Sequence, residues 1–384
     1  MRKSIPLFLC LLLLTACGNR LYDIDDALNK EMTLFEEEIS VPIGSTGPFN
    51  LELLLKDKTV GALLGAALTT EEDGTIVSKT SDQFFKISAY EIITKVPDWS
   101  KPVSYPVSDK SFTPSGIANL LQTFGFSVVD QHMRVFVNNP LNLAYNLGGS
   151  IRVACQNTKT FTPAYDETFP LEGVTVERSS SDTELLNLEI PNSVGFSPST
   201  AELKDWCFNL PANMKDELRW SSKTDFSFDC EYSCHVAAGT NGEIPLAMFG
   251  MKTMSFKFEL PIASYKFKEV EASLVLENTL PLQVTLGNVR LMTGKNPEVN
   301  ENLLVTPGDI VVKGGSLESP GITPLTLNIK ALEGAIPDIT GIQAELSIVS
   351  APGYAETLLS LKQGLNVKSA SATLRGGVTL VDNE

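Results

Sequence analysis

The segment Met133-Arg134-Val135-Phe136-Val137-Asn138-Asn139-Pro140-Leu141-Asn142-Leu143 runs on through Leu147-Gly148 to Ile151-Arg152-Val153. A second segment, Ala272-Ser273-Leu274-Val275-Leu276-Glu277-Asn278-Thr279-Leu280-Pro281-Leu282, runs on through Leu286-Gly287 to Val289-Arg290-Leu291. Asn139 aligns with Asn278, Leu147-Gly148 with Leu286-Gly287, and Arg152 with Arg290, with one extra residue after Gly148. Both read as strand, Asn/Pro turn, strand: Asn accepts unusual backbone angles, and Pro has no N–H to offer a ladder. Two copies of one such unit in a single chain predict a duplicated β architecture.

Shorter echoes follow in the same order. Gly173-Val174-Thr175-Val176 resembles Gly308-Asp309-Ile310-Val311, Leu188-Glu189-Ile190 resembles Leu327-Asn328-Ile329, and Ala201-Glu202-Leu203 resembles Ala344-Glu345-Leu346. Before the motif, Val41-Pro42-Ile43-Gly44 echoes Ile244-Pro245-Leu246. Period-2 alternation recurs at Phe226, Phe228 and Cys230, at Phe256, Phe258 and Leu260, and at Leu274 and Leu276. That pattern marks half-buried antiparallel strands. The run Ala237-Ala238-Gly239-Thr240-Asn241-Gly242 has linker composition and separates the copies. The fold expected is mainly β: two related β-sandwich-like domains in tandem, at 39–237 and 243–384. The first carries an α/β insertion at about 56–128. That insertion holds two helix candidates, Phe49–Leu68 (overlapping its start) and Ser115–Phe124 with Ser115 as cap, and an Asp73-Gly74 hairpin turn.

The strand–Asn-Pro–strand segment at 133–153 resembles the core motif of the late-embryogenesis-abundant type 2 domain, which implies an immunoglobulin-like sandwich. The second copy has Asn278-Thr279-Leu280-Pro281 in its place.

At the N-terminus, Arg2 and Lys3 precede an apolar run from Ile5 to Leu14. The run is too short to span a bilayer, which takes about 20 residues, and has the length of a signal-peptide core. It ends in Leu14-Thr15-Ala16-Cys17, which resembles the lipobox of bacterial lipoproteins. That resemblance implies a signal peptide at 1–16, cleavage before Cys17 and acylation (palmitate among the chains) of Cys17, the lipidation residue. Several acyl chains, at about 0.8 kcal/mol per buried CH₂, hold a protein stably at a membrane. Residues 17–38 form an acidic tether closed by Glu36-Glu37-Glu38. Gly18 after the cysteine favours the outer membrane, with exposure at the cell surface a further option. Lipobox, acidic spacer, Val41-Pro42-Ile43-Gly44 and tandem β body together resemble Bacteroidota cell-envelope lipoproteins of uncharacterised function.

The 384 residues carry a net charge of −16, and removing residues 1–16 takes away two cations and no acid. Such a surface repels phosphates, so nucleic acid is excluded as a partner. With two histidines in the chain, no cofactor and no metal are expected. Structural zinc sites usually use a shorter Cys spacing than Cys230-x-x-x-Cys234-His235, and His132 is the only other imidazole, so strand cysteines that simply pack are the reading here. Glu71-Glu72-Asp73 and Asp23-x-Asp25-Asp26 read as solvated turns rather than calcium loops. Four thiols remain after processing, Cys155, Cys207, Cys230 and Cys234, and their disulfide state stays open. Along a straight strand Cys230 and Cys234 stand about 13 Å apart, too far to bond to each other.

Catalytic motifs are missing, so no catalytic residue is assigned. Asp98-Trp99 is the speculative ligand-binding pair, because an indole face stacks on sugars and a carboxylate bonds their hydroxyls; Asp205-Trp206 and Trp220 follow it. The function expected is a non-catalytic binding or structural role at the envelope, toward a glycan or a protein. The alternatives are a carboxylate-based glycan hydrolase and a carrier of a lipid-like ligand.

Overall fold

The computed structural model describes residues 39–44, 49–50, 68–123, 125–157, 160–216, 224–239, 243–244, 253–260 and 267–375. The chain is mainly β, and it separates into two compact units. Residues 64–237 form one, here the inserted unit. Residues before and after it form the other, the split unit.

The chain starts in the split unit with β1 (Ile39–Gly44) and β2 (Phe49–Asn50). The inserted unit follows: β3 (Leu68–Thr70), β4 (Ile76–Ser88), α1 (Ala89–Lys95), β5 (Val103–Pro106), β6 (Lys110–Phe112) and α2 (Ile117–Thr123). It continues with β7 (Phe126–Asn139), β8 (Tyr145–Gln156), β9 (Pro163–Pro170), β10 (Thr175–Val176), β11 (Ser180–Ile190), β12 (Pro198–Leu210) and β13 (Asp225–Ala238). The split unit resumes with β14 (Glu243–Ile244), β15 (Thr253–Leu260), β16 (Glu269–Asn278), β17 (Leu282–Thr293) and β18 (Glu298–Val299). It ends with β19 (Leu303–Thr306), β20 (Ile310–Val312), β21 (Gly321–Ala331), β22 (Ile339–Ser350) and β23 (Gly364–Arg375).

Among the described residues, each unit holds two antiparallel sheets. In the inserted unit one has the order β11-β7-β13-β4-β3; the other has β10-β8-β12-β5, with β6 on β12 and β9 on β8. In the split unit the orders are β1-β23-β16-β21-β19 and β14-β22-β17-β18, with β15 on β22 and β20 on β17. One sheet therefore repeats its order: β11-β7-β13-β4 matches β21-β16-β23-β1. Met133 pairs with Leu188 as Ala272 pairs with Leu327, so that echo holds residue for residue. Buried residues from both sheets make one core in each unit, around Met133, Ile151, Leu203 and Phe228 in the first and Leu274, Leu286, Ile329 and Ile342 in the second.

The repeated asparagines show why the motif exists. Asn139, fully buried, donates through Nδ2 to Leu143 O at 2.7 Å and Glu177 O at 2.8 Å, and its Oδ1 accepts from Leu141 N at 3.0 Å. Asn278, also fully buried, donates to Leu282 O at 2.9 Å and Lys313 O at 3.0 Å and accepts from Leu280 N at 2.9 Å. One amide thus closes the turn between successive strands and ties it to the residue that leaves the short strand beyond, Glu177 after β10 and Lys313 after β20. Only an amide supplies two donors and an acceptor in that space.

Several boundaries differ from those expected. Val41-Pro42-Ile43-Gly44 lies in β1, which pairs with β23 (Ile39 with Leu374, Gly44 with Ala370), so this stretch belongs to the split unit rather than to a 39–237 domain. It is the counterpart of β4, whereas Ile244 lies in β14, in the other sheet. Pro42 fits there because β1 is an edge strand. The stretch 56–128 is not a wholesale insertion either: β4 is a sheet strand, and β5 and β6 flank β12 as β14 and β15 flank β22. What the split unit lacks, among the described residues, is β3, α1 and α2. The linker composition at 237–242 begins inside β13, where Ala237 and Ala238 are buried. Glu202 faces Arg152 while Gln343 faces Arg290, so the Ala201–Leu203 echo is two residues out of register. In the short strands Asn146 faces Thr175 while Thr285 faces Val311, so the Gly173 echo is one residue out.

The hairpin at Asp73-Gly74 joins β3 to β4, with Gly74 at φ 93° and Asp73 Oδ1 accepting from Thr75 N at 2.8 Å. The second helix candidate is α2, but Ser115 does not cap it: its hydroxyl donates to Pro198 O at 2.6 Å. Of the first, Phe49-Asn50 is strand and Leu68 opens β3, and residues 51–67 lie outside the described residues, as does the tether.

Candidate functional site

The speculative sugar pair does not present a platform. Trp99 is only 7 % exposed and packs in the core of the inserted unit, and its carbonyl accepts from Asn213 N at 2.7 Å. Asp98 is spent on a local turn. Its Oδ1 accepts from Ser100 N at 2.9 Å, and that bond lowers the carboxyl below its usual range. Trp206 is likewise buried, its Nε1 donating to Ser108 O at 3.1 Å and its ring edge-on to Phe228 at 4.8 Å. These indoles fill a sandwich, a common use of aromatic bulk. Trp220 lies outside the described residues.

The four cysteines are free thiols. Cys230 and Cys234 both face the core from β13, so His235, one residue on, points from the opposite face. There its Nδ1 lies 3.2 Å from Asp130 Oδ2 and its Nε2 3.4 Å from Glu71 Oε1. His132 meets Asn187 Oδ1 on the outer side of β7. Among the described residues, no group of three or more His, Cys, Asp or Glu side chains converges to hold a metal. Burial pushes the Cys155 and Cys230 thiols up to about 12 and Cys234 up to about 11, whereas Cys207 is half-exposed. In the native protein at mildly alkaline pH, a water-soluble thiol reagent is expected to modify Cys207 fast and Cys155, Cys230 and Cys234 only on unfolding. Equal rates at all four, read by peptide mass, would refute this burial pattern.

Two pairs of carboxylates are bridged by arginine. Arg152 makes a fork to Asp166 (Nε–Oδ1 2.7 Å, Nη2–Oδ2 2.6 Å) and reaches Glu202 through Nη1 at 2.9 Å. Its hydrogen bonds lower both carboxyls. Arg134 bridges Glu184 and Glu231 at 3.2 and 3.3 Å. A glycosidase acid needs the opposite shift, a carboxyl raised by its surroundings.

A different surface gathers uncommitted polar groups. Two shallow, open depressions meet on the outer face of the β10-β8-β12-β5 sheet, sharing Asn146 and Asn209. The first also has Gly148, Glu172, Asp205 and Cys207 on its lining; Ser104 lines the second. The register is direct across four strands: Ser104 pairs with Asn209, Asn209 with Asn146, and Asn146 with Thr175. Gly148 makes the floor: a Cβ there would sit 2.9 Å from Cys207 Sγ and 3.2 Å from Asn209 Nδ2. At Gly149, φ 94° and a Cβ 2.5 Å from Trp206 Cα exclude any side chain.

No known protein family matches this chain, and no curated protein matches it. Among solved structures it is similar to a predicted secreted protein from Parabacteroides distasonis ATCC 8503, with TM-score 0.42 and 12% identity over 89% of this chain and 100% of that one. It is also similar to the VP2 subviral particle protein of infectious bursal disease virus, with TM-score 0.21 and 9% identity over 75% of this chain and 44% of that one.

Sequence reasoning passed over the polar row because its members are single Asn, Ser and Thr residues scattered over four strands. The available signal was alternation: Asn146 lies between Tyr145 and Leu147, and Asn209 between Phe208 and Leu210, so each faces away from a buried pair.

Proposed function

We propose that this protein is a lipoprotein of the bacterial outer membrane, anchored by acyl chains on Cys17, whose β body binds or scaffolds without catalysis. The observation that carries the reading is Leu14-Thr15-Ala16-Cys17 closing an apolar run of signal-peptide length. Connectivity adds to it. The tether leads into β1 of the split unit, so the inserted unit is joined to the anchor only through the split unit. That favours the inserted unit as the part that meets a glycan or protein. The non-catalytic part is supported by Asp166 and Glu202, whose carboxyls Arg152 lowers, the opposite of a group poised to donate a proton. Asn146, Glu172, Asp205 and Asn209 on the lining of the first depression suit hydroxyls or peptide groups better than an acyl chain.

The test is localisation. Wild-type protein is expected in the membrane fraction with a mass carrying acyl groups, and Cys17→Ala in the soluble or unprocessed precursor fraction. A processed Cys17→Ala protein that stayed membrane-bound would overturn the anchoring. Release of reducing sugar from envelope polysaccharide by the purified body would overturn the non-catalytic role.

A further inference from the structure

We infer that the inserted unit carries a binding site for neutral saccharide hydroxyls on the outer face of its β10-β8-β12-β5 sheet, centred on Asn146 and Asn209. The inference rests on the binding reading above and gives it a ligand class and a place. The two amides stand opposite each other on paired strands, and both are exposed. Thr175 Oγ1 donates to Asn146 Oδ1 at 2.9 Å, which orients that amide and turns its NH₂ outward to the notch. Cys207 Sγ lies 3.7 Å from Asn209 Oδ1, doing the same for the second amide more weakly. Neither NH₂ has a hydrogen-bond partner among the described residues, which leaves four N–H donors at the notch.

The rim supplies acceptors. Glu172 and Asp205 are exposed on its lining, and neither carboxylate shares an arginine. Asp205 is held in position from behind: its backbone, at φ 49°, donates N–H to Asp109 Oδ1 at 3.0 Å. Ser104 adds a hydroxyl at the far side. Donors that point in one direction beside carboxylate acceptors match a vicinal diol, in which each hydroxyl both donates and accepts. Two carboxylates without a cation in the notch disfavour an anionic ligand such as a phosphate or uronate. Gly148 and Gly149 let β8 and β12 approach closely beneath the notch, since a Cβ at either would run into Cys207 Sγ or Trp206 Cα.

The split unit supplies an internal contrast. At the corresponding positions, Thr285 pairs with Ser347 and with Val311, whose side chain is 46% exposed. The row there has no amide and ends in an aliphatic group. The amide pair is thus a property of one copy and not of the architecture.

The experiment uses the soluble mature body, residues 18–384, labelled with nitrogen-15. It is titrated with neutral gluco-, manno-, xylo- and N-acetylgluco-oligosaccharides and, separately, with a uronic-acid oligosaccharide. The side-chain NH₂ resonances of Asn146 and Asn209 are expected to move with at least one neutral series. Asn146→Ala and Asn209→Ala are each expected to weaken that binding about tenfold, the scale of losing one or two such hydrogen bonds. Asn187→Ala, on the other sheet, should not, and far-UV circular dichroism should show all three folded. Saccharide binding that survives both substitutions would overturn this site while leaving a glycan-binding role standing. Preference for the uronate series, or no shift with any series, would overturn the inference; capture of an envelope protein in that case would leave the broader binding reading intact.

Discussion

Asn139→Ala is expected to destabilise the inserted unit by about 2–4 kcal/mol, an unusually large effect for a polar-to-Ala change. The side chain is fully buried and makes three hydrogen bonds, each to backbone. Alanine leaves the carbonyls of Leu143 and Glu177 and the N–H of Leu141 without that partner, in a space too confined for full rehydration. Buried groups left this way cost about 1–3 kcal/mol each, and the sum falls below simple addition because the turn relaxes. Asn139→Asp should be worse than its near-isosteric size suggests. A carboxylate keeps the acceptor for Leu141 N but sets negative oxygen against two carbonyl oxygens at 2.7 and 2.8 Å. Chemical denaturation followed by tryptophan emission reads this directly, because Trp99 and Trp206 are both buried in that core. Asn278→Ala is expected to cost the split unit a similar amount, since its three bonds repeat those of Asn139. A change below about 0.5 kcal/mol in both variants, the size of an ordinary surface substitution, would show that these amides do not hold the turns.

The duplication was legible because its mark is local. A turn that needs an amide at one position, two strands whose faces alternate, and a Leu-Gly further on all lie within one short segment. The same locality explains the Asp73-Gly74 hairpin and the alternation at Phe226, Phe228 and Cys230, all three buried. What failed was non-local. Nothing in Val41-Pro42-Ile43-Gly44 says that its partner is β23, across most of the chain, and Ile244, which it echoes, pairs with Ile348 in the other sheet. The register of the Ala201 echo went wrong because a bulge falls between Lys204 and Cys207 on β12, and between Gly287 and Arg290 on β17. An insertion on different strands of the two ladders shifts short matches without disturbing the fold. For the site, the bias was toward large side chains. Trp99 between Pro97 and Pro102 reads as an exposed loop aromatic, yet burial of an indole is decided by what packs over it. Asn146 and Asn209 lie more than sixty residues apart, and only strand pairing makes them neighbours.

Removing residues 18–50 is expected to leave the inserted unit folded and to unfold the split unit, although the deletion is adjacent in sequence to the former. β1 pairs with β23 from Ile39–Leu374 to Gly44–Ala370, and β2 extends the contact at Phe49–Leu365 and Asn50–Gly364. In the sheet order β23 then has β16 on one side and β1 on the other. Without β1 the outer N–H and C=O groups of a long strand lose their ladder and become an edge open to other chains. The inserted unit shows what that place demands, since its equivalent, β4, is 13 residues long and contributes Ile76, Val77 and Ile87 to the buried set. Three fragments test this. Residues 64–237 should melt cooperatively, because both of that unit's sheets are complete within them. Residues 238–384 should be unfolded or aggregated alone. The same fragment with residues 39–50 appended through a flexible linker after Glu384 should recover a cooperative transition, because β1 runs antiparallel to β23 and a strand added after it can turn back along it. A fragment 238–384 that folds as well without β1 as with it would refute the pairing. If the pairing and the proposed acylation of Cys17 both hold, any load carried from that lipid enters the split unit through β1, and the strand that receives it, β23, lies inside the sheet rather than at its rim.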